Sequence, residues 1–119
     1  MKISNPLAIK GESIAADYLK KLGYKIIERN YSKRYGEIDI IAIHKNVLVF
    51  VEVKTRTSNQ FGSPLEAITP WKLRAVLKTA EYYKLTHPKT PEEMRIDAIS
   101  VSFDSQGQNV IDHIKNISQ

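Results

Sequence analysis

With 119 residues, 42% of them hydrophobic, the chain has the length of one compact domain with a real core and is too short for two. The absence of cysteine excludes disulfides, thiolate catalysis and cysteine-ligated zinc, and it fits a reducing compartment. A net charge of +5 suits a polyanionic partner without demanding one, the polar start Met1 to Pro6 is unlike a signal peptide, and no apolar run could span a bilayer, so a soluble cytoplasmic protein is expected.

The first element is a helix from Pro6 to Leu22, capped by Asn5 and stopped by Gly23, with Leu7, Gly11, Ile14, Ala15, Tyr18 and Leu22 on one face. Tyr24 to Tyr31 reads as a strand, Ser32 to Gly36 as a polar turn, and Gly36 to His44 as a second strand. Lys45-Asn46 makes a tight turn into a third strand, Val47 to Arg56. Thr57 to Thr69 is rich in Ser, Asn, Gly and Pro and is expected to be an exposed, mobile loop. Thr69-Pro70 starts a second helix running to about His87, with Leu73, Val76, Leu77, Ala80 and Tyr83 at helical spacing. Met94 to Phe103 alternates as a strand, and Asn109 to Ile114 suggests a last short one. The order α-β-β-β-α-β implies an α/β fold, a mixed sheet flanked by helices, with the strand after the second helix parallel to Val47–Arg56 through a right-handed crossover.

Charges inside two apolar strands carry the functional signal. Asp39 sits between Ile38 and Ile40, and Glu52 and Lys54 share one face of the segment NVLVFVEVK. Removing such groups from water costs several kcal/mol per ion unless they are paired or bind a metal. Mg²⁺ takes oxygen ligands and is commonly held by one or two carboxylates plus substrate phosphates, a number that Asp39 and Glu52 supply. Lys54 stands where it could orient an attacking water or offset charge on a phosphate. Arg56 and Lys72 are candidate phosphate contacts, whereas Arg74 and Lys78 read as a solvated face.

Gly36-Glu37-Ile38-Asp39-Ile40-Ile41-Ala42 followed by Phe50-Val51-Glu52-Val53-Lys54-Thr55-Arg56 resembles the YraN family of predicted endonuclease-like proteins. That family is similar to the PD-(D/E)xK nuclease superfamily and, within it, to the Holliday-junction resolvases. The likeness extends over Gly11-Glu12, Phe61 to Ala67, Lys72 and Arg95-Ile96-Asp97, and Ile38 stands where the superfamily's name would put proline. The resemblance implies a restriction-endonuclease-like fold. It also implies that Asp39 and Glu52 bind metal, that Lys54 is the catalytic lysine, and that Glu12 completes the site directly or through water.

The reading is therefore a single endonuclease-like domain that hydrolyses DNA phosphodiester bonds with Mg²⁺ or Mn²⁺, held by Asp39, Glu52 and the backbone carbonyl of Val53. The loop from Thr57 to Thr69 would contact the strand being cut. Cutting both strands of a duplex or junction would call for a homodimer. One rival is a non-catalytic nucleic-acid-binding module on the same fold, and another is a structural protein with a buried ion-pair network. Glu37 and Asp97 read as structural acids, the latter with Arg95, Lys72 or Lys54 as candidate partners. His44, His87 and His113 read as surface residues, while Trp71 and the tyrosines mostly serve the core or its border.

Overall fold

In the computed structural model, which describes residues 5–57 and 68–118, the first helix α1 spans Pro6–Lys21. Asn5 Oδ1 accepts the Leu7 N–H at 2.8 Å, and Pro6 opens the first turn, where no N–H partner is needed. Gly11, Ala15, Ala16 and Leu19 form its buried face. Leu22, expected on that face, is instead the C-cap residue and 51% exposed, because the helix ends one residue before it.

Strands β1 (Lys25–Lys33), β2 (Gly36–His44) and β3 (Val47–Thr57) follow as an antiparallel meander. Helix α2 (Pro70–Thr86) begins at Thr69, whose Oγ1 accepts the Lys72 N–H, and leads to β4 (Met94–Phe103) and β5 (Asn109–Ile114). The sheet order is β1-β2-β3-β4-β5, with β3 and β4 parallel and the other neighbours antiparallel. The anticipated parallel pairing is thus present, and the last short strand forms. The turn between β1 and β2 is shorter than the sequence suggests, since β1 continues through Ser32 to Lys33. The segment from Thr57 to Thr69, expected to be a mobile loop against substrate, lies outside the described residues from 58 to 67.

Each face of the sheet carries one helix and one apolar cluster. Ala15, Ala16 and Leu19 of α1 pack with Ile40, Ala42, Val49, Val51, Ile99 and Val101, while Val76, Ala80 and Tyr83 of α2 pack with Ile38, Ile41, Leu48, Phe50 and Ala98. Leu48 to Val51 are all fully buried, as befits a central strand covered on both sides. Alternation is interrupted in β1, which bulges between Ile26 and Glu28, and again in β2. Ile38 belongs to the α2-side cluster and Ile40 to the α1-side cluster, although residues two apart in a regular strand share a face. Opposite this step, in the β1–β2 register, Asn30 adopts a left-handed φ of +53°, a conformation asparagine tolerates better than most residues. The residue between the two isoleucines is Asp39.

Candidate metal-dependent active site

The β2–β3 ladder runs from His44 opposite Val47 to Ile40 opposite Val51. Beyond that point the Asp39 carboxylate takes the place of a backbone acceptor, and Val53 N–H donates to Asp39 Oδ2 at 2.8 Å. That bond ties the Asp39 carboxylate to β3 one residue past Glu52.

Glu52 is only 6% exposed. Its Oε2 lies 3.6 Å from Lys72 Nζ, while its Oε1 finds no hydrogen-bond partner among the described residues. Burial, with the nearby Asp39 charge adding to it, pushes the Glu52 carboxyl up to about 8, against the opposing pull of Lys72. Lys54 follows on the same face and is exposed. Asp39, Glu52 and Lys54 line one cavity of about 420 Å³, together with Glu12 from α1, Glu37 from β2 and Lys72 from α2. Four elements therefore converge on the place where β2 and β3 part. Arg56 continues along β3 and is half-buried, outside that wall.

Glu12 reaches the cavity because α1 crosses β3 closely at Gly11. A Cβ on Gly11 would overlap Thr55 Oγ1 and stand 3.1 Å from Thr55 Cβ and Cγ2. Replacement of Gly11 by alanine is therefore expected to cost about 1–3 kcal/mol despite alanine's better helix propensity. In urea unfolding, Gly11→Ala combined with Thr55→Ala should recover most of that loss, and additive losses would show that the two do not touch.

Among the described residues, no group of three or more His, Asp or Glu side chains comes together to hold a metal ion. Four carboxylates line the cavity, and of these Asp39 and Glu52, with nearby backbone, are the donors that suit a hard cation taking its remaining ligands from water and phosphate, a set that does not suit zinc. The unsatisfied Glu52 oxygen fits this use.

A second buried acid gives the contrast. Asp97 is fully buried on the α1 side, beside Val51 in the parallel register, and both its oxygens are saturated. Arg95 donates to them at 2.9 and 3.2 Å, Asn116 N–H at 3.0 Å, and His113 Nε2 lies 2.8 Å away. Arg95 also donates to Tyr24 Oη at 2.7 Å, and Tyr18 Oη meets His113 Nδ1 at 3.0 Å. Burial alone would raise the Asp97 carboxyl, yet hydrogen bonds from His113, Arg95 and Asn116 hold it below the ordinary value. Of the partners anticipated for Asp97, Arg95 is correct, and Lys72 is engaged with Glu52 instead. The histidines do not behave as surface residues. The His113 side chain is 6% exposed within this network, His44 stacks on Tyr24, and His87 stacks on Tyr83. Nothing in the local pattern of Asn109 to Ile114 marks His113 as buried, because its partners lie on β4 and α1.

Residues 11–101 match the model of a family described as uncharacterised protein family UPF0102. The chain belongs to that family. A UPF0102 protein of Syntrophomonas wolfei is 44% identical over 114 residues, covering 96% of this chain and 98% of that protein. One from Clostridium botulinum is 48% identical over 113 residues, covering 92% and 90%. UPF0102 membership agrees with the resemblance to the YraN proteins read from Gly36–Ala42 and Phe50–Arg56. Among solved structures, a repair endonuclease from Pyrococcus abyssi aligns with 90% of the UPF0102 chain at 17% identity and a TM-score of 0.38, and the chain spans 42% of that protein's length. Among the described residues, no helix is long and apolar enough to cross a membrane.

Proposed function

We propose that this protein is a metal-dependent endonuclease that hydrolyses phosphodiester bonds of DNA. The observation that carries the reading is the contrast between its two buried acids. Asp97 has every oxygen satisfied, as a structural carboxylate should, whereas Glu52 is buried at the cavity with one oxygen unmatched among the described residues and its proton affinity raised. A buried group kept in that condition calls for a ligand.

Asp39 and Glu52, with the carbonyl of Val53, would hold Mg²⁺ or Mn²⁺. When bound there, the ion would polarise a phosphate oxygen and acidify water. The Val53 N–H holds Asp39 in place, so one carboxylate is oriented before any substrate arrives. Lys54, exposed beyond Glu52 on the same face, would orient the attacking water and offset charge growing on the phosphate. Glu12 would contact the site from α1, and Lys72 and Arg56 would meet flanking phosphates. A fold-preserving, non-catalytic nucleic-acid-binding module is the alternative, and the +5 net charge suits both readings.

End-labelled single-stranded, duplex, flapped and four-way-junction DNA, incubated with Mg²⁺ or Mn²⁺, decides between them. Cleavage by the wild type should fall about 100-fold or more in Asp39→Ala and in Lys54→Ala. Intact, metal-independent binding with no cleavage of any substrate by the folded wild type would favour the binding module. Measuring molecular mass by light scattering under the same conditions would test the homodimer that a two-strand cut requires.

A further inference from the structure

Resting on the nuclease reading above, we propose that Trp71 stacks on an unpaired base of the substrate, so that the site takes nucleic acid with an unpaired nucleotide beside the phosphate to be cut. The sequence alone places the aromatic residues in the core or at its border, and Tyr24, Tyr31 and Tyr83 are indeed buried. Trp71 departs from this, with 68% of its surface in water. It lies in the first turn of α2, directly before Lys72, whose ammonium reaches Glu52 in the cavity. Ala75 and Val76, on the next turn, form part of the cavity wall. Residues four apart on a helix lie on one side, so Trp71 stands one turn, about 5.4 Å, beyond Ala75 at the cavity's rim.

Three properties therefore meet where the first turns of α2 border the cavity: acids suited to a cation, a lysine, and a flat apolar surface open to solvent. Among the described residues the other exposed aromatics are Tyr35 and Tyr82, which share a separate pocket with Lys78, Glu81 and Leu85. A phosphate drawn to the cavity brings its neighbouring base to within the indole's reach. In a duplex that base is covered on both faces by its neighbours, whereas an unpaired base presents a free face on which an aromatic ring can stack.

Trp71 is the one tryptophan of the chain, so indole emission excited selectively over the six tyrosines reports this position alone. The full chain would be titrated, at low salt with Ca²⁺ in place of Mg²⁺, with a labelled 12-nucleotide single strand and with a blunt hairpin duplex, reading label anisotropy and indole emission together. The single strand should quench the indole in step with the anisotropy. Trp71→Ala should weaken single-strand binding about 10-fold and duplex binding by less than about 2-fold, with Trp71→Phe restoring most of the loss. Because the side chain is exposed, the variants should melt with the wild type. Single-strand binding with unchanged emission, or equally tight binding by Trp71→Ala, would overturn the stacking role and leave the nuclease reading standing. No anisotropy change with either oligonucleotide would overturn both.

Discussion

Replacing Glu52 by glutamine is expected to stabilise the metal-free protein at pH 8 while abolishing its response to divalent cations. The folded chain holds the Glu52 proton up to about 8, whereas the ordinary value is 4.5. Between those limits folding takes up a proton, so wild-type stability falls as pH rises through the interval. Glutamine keeps the shape and removes the ionisation. Its advantage should be small near pH 5 and grow to about 2–5 kcal/mol by pH 9. Thermal melts from pH 5 to 9, with and without Mg²⁺, check this. Added Mg²⁺ should raise the wild-type midpoint at pH 8 and leave Glu52→Gln unmoved, because a cation that needs the carboxylate displaces its proton. A large loss of stability in Glu52→Gln at pH 8 would mean instead that Glu52 serves as the structural partner of Lys72. The ion-pair-network reading would then gain at the expense of catalysis.

The opposite result is expected for the other buried acid. Asp97→Ala should destabilise the fold by about 3–5 kcal/mol, because it strands the Arg95 guanidinium and the His113 imidazole without their acceptor. For a domain of this size that corresponds to a fall in melting temperature of roughly 10–20 °C. Asp97→Asn should lose less, since an amide oxygen can still accept from Arg95 or Asn116 N–H. The pH sign is also opposite to that of Glu52. With the Asp97 carboxyl held below its ordinary value, its contribution is complete above that value and is lost as pH falls through the folded one. The wild type should accordingly lose stability in the acid range below about pH 4, and Asp97→Asn should show less of that loss. If both variants melted like the wild type, the Tyr18–His113–Asp97–Arg95–Tyr24 network would not be a stabilising element. Together, the two acids should separate a carboxylate held for structure from one held for a ligand.

Much of the architecture was legible from local patterning, because period-2 and period-3.6 burial leaves its mark on neighbouring residues. The bounds of β4, the caps Asn5 and Thr69, and the order of helices and strands all follow from residues within a few positions of each other. The same holds for the central feature of the site. Asp39, Glu52 and Lys54 stand out because each interrupts an apolar strand, and the β2–β3 turn brings the first two together. Where the helix face was misjudged, at Leu22, the pattern continued but the helix did not.

Periodicity reports that a side chain is buried or exposed, but not what it meets. Lys72 could be read from sequence as a phosphate contact, but its pairing with Glu52 depends on how α2 lies across the sheet. His113 looked like a surface residue until β5 placed it against Asp97, with Tyr18 of α1 on its other nitrogen. The exposure of Trp71 depends in the same way on which face of α2 turns to the core. Gly11 mattered for its close crossing with Thr55, a contact between segments far apart in the chain. The sequence by itself determined the elements, their order and the acids and lysine of the site, since these are written in local alternation of apolar and polar residues. Tertiary structure alone decided which buried acid is satisfied and which is not, because hydrogen-bond partners are chosen by strand register and helix crossing rather than by neighbours in the chain.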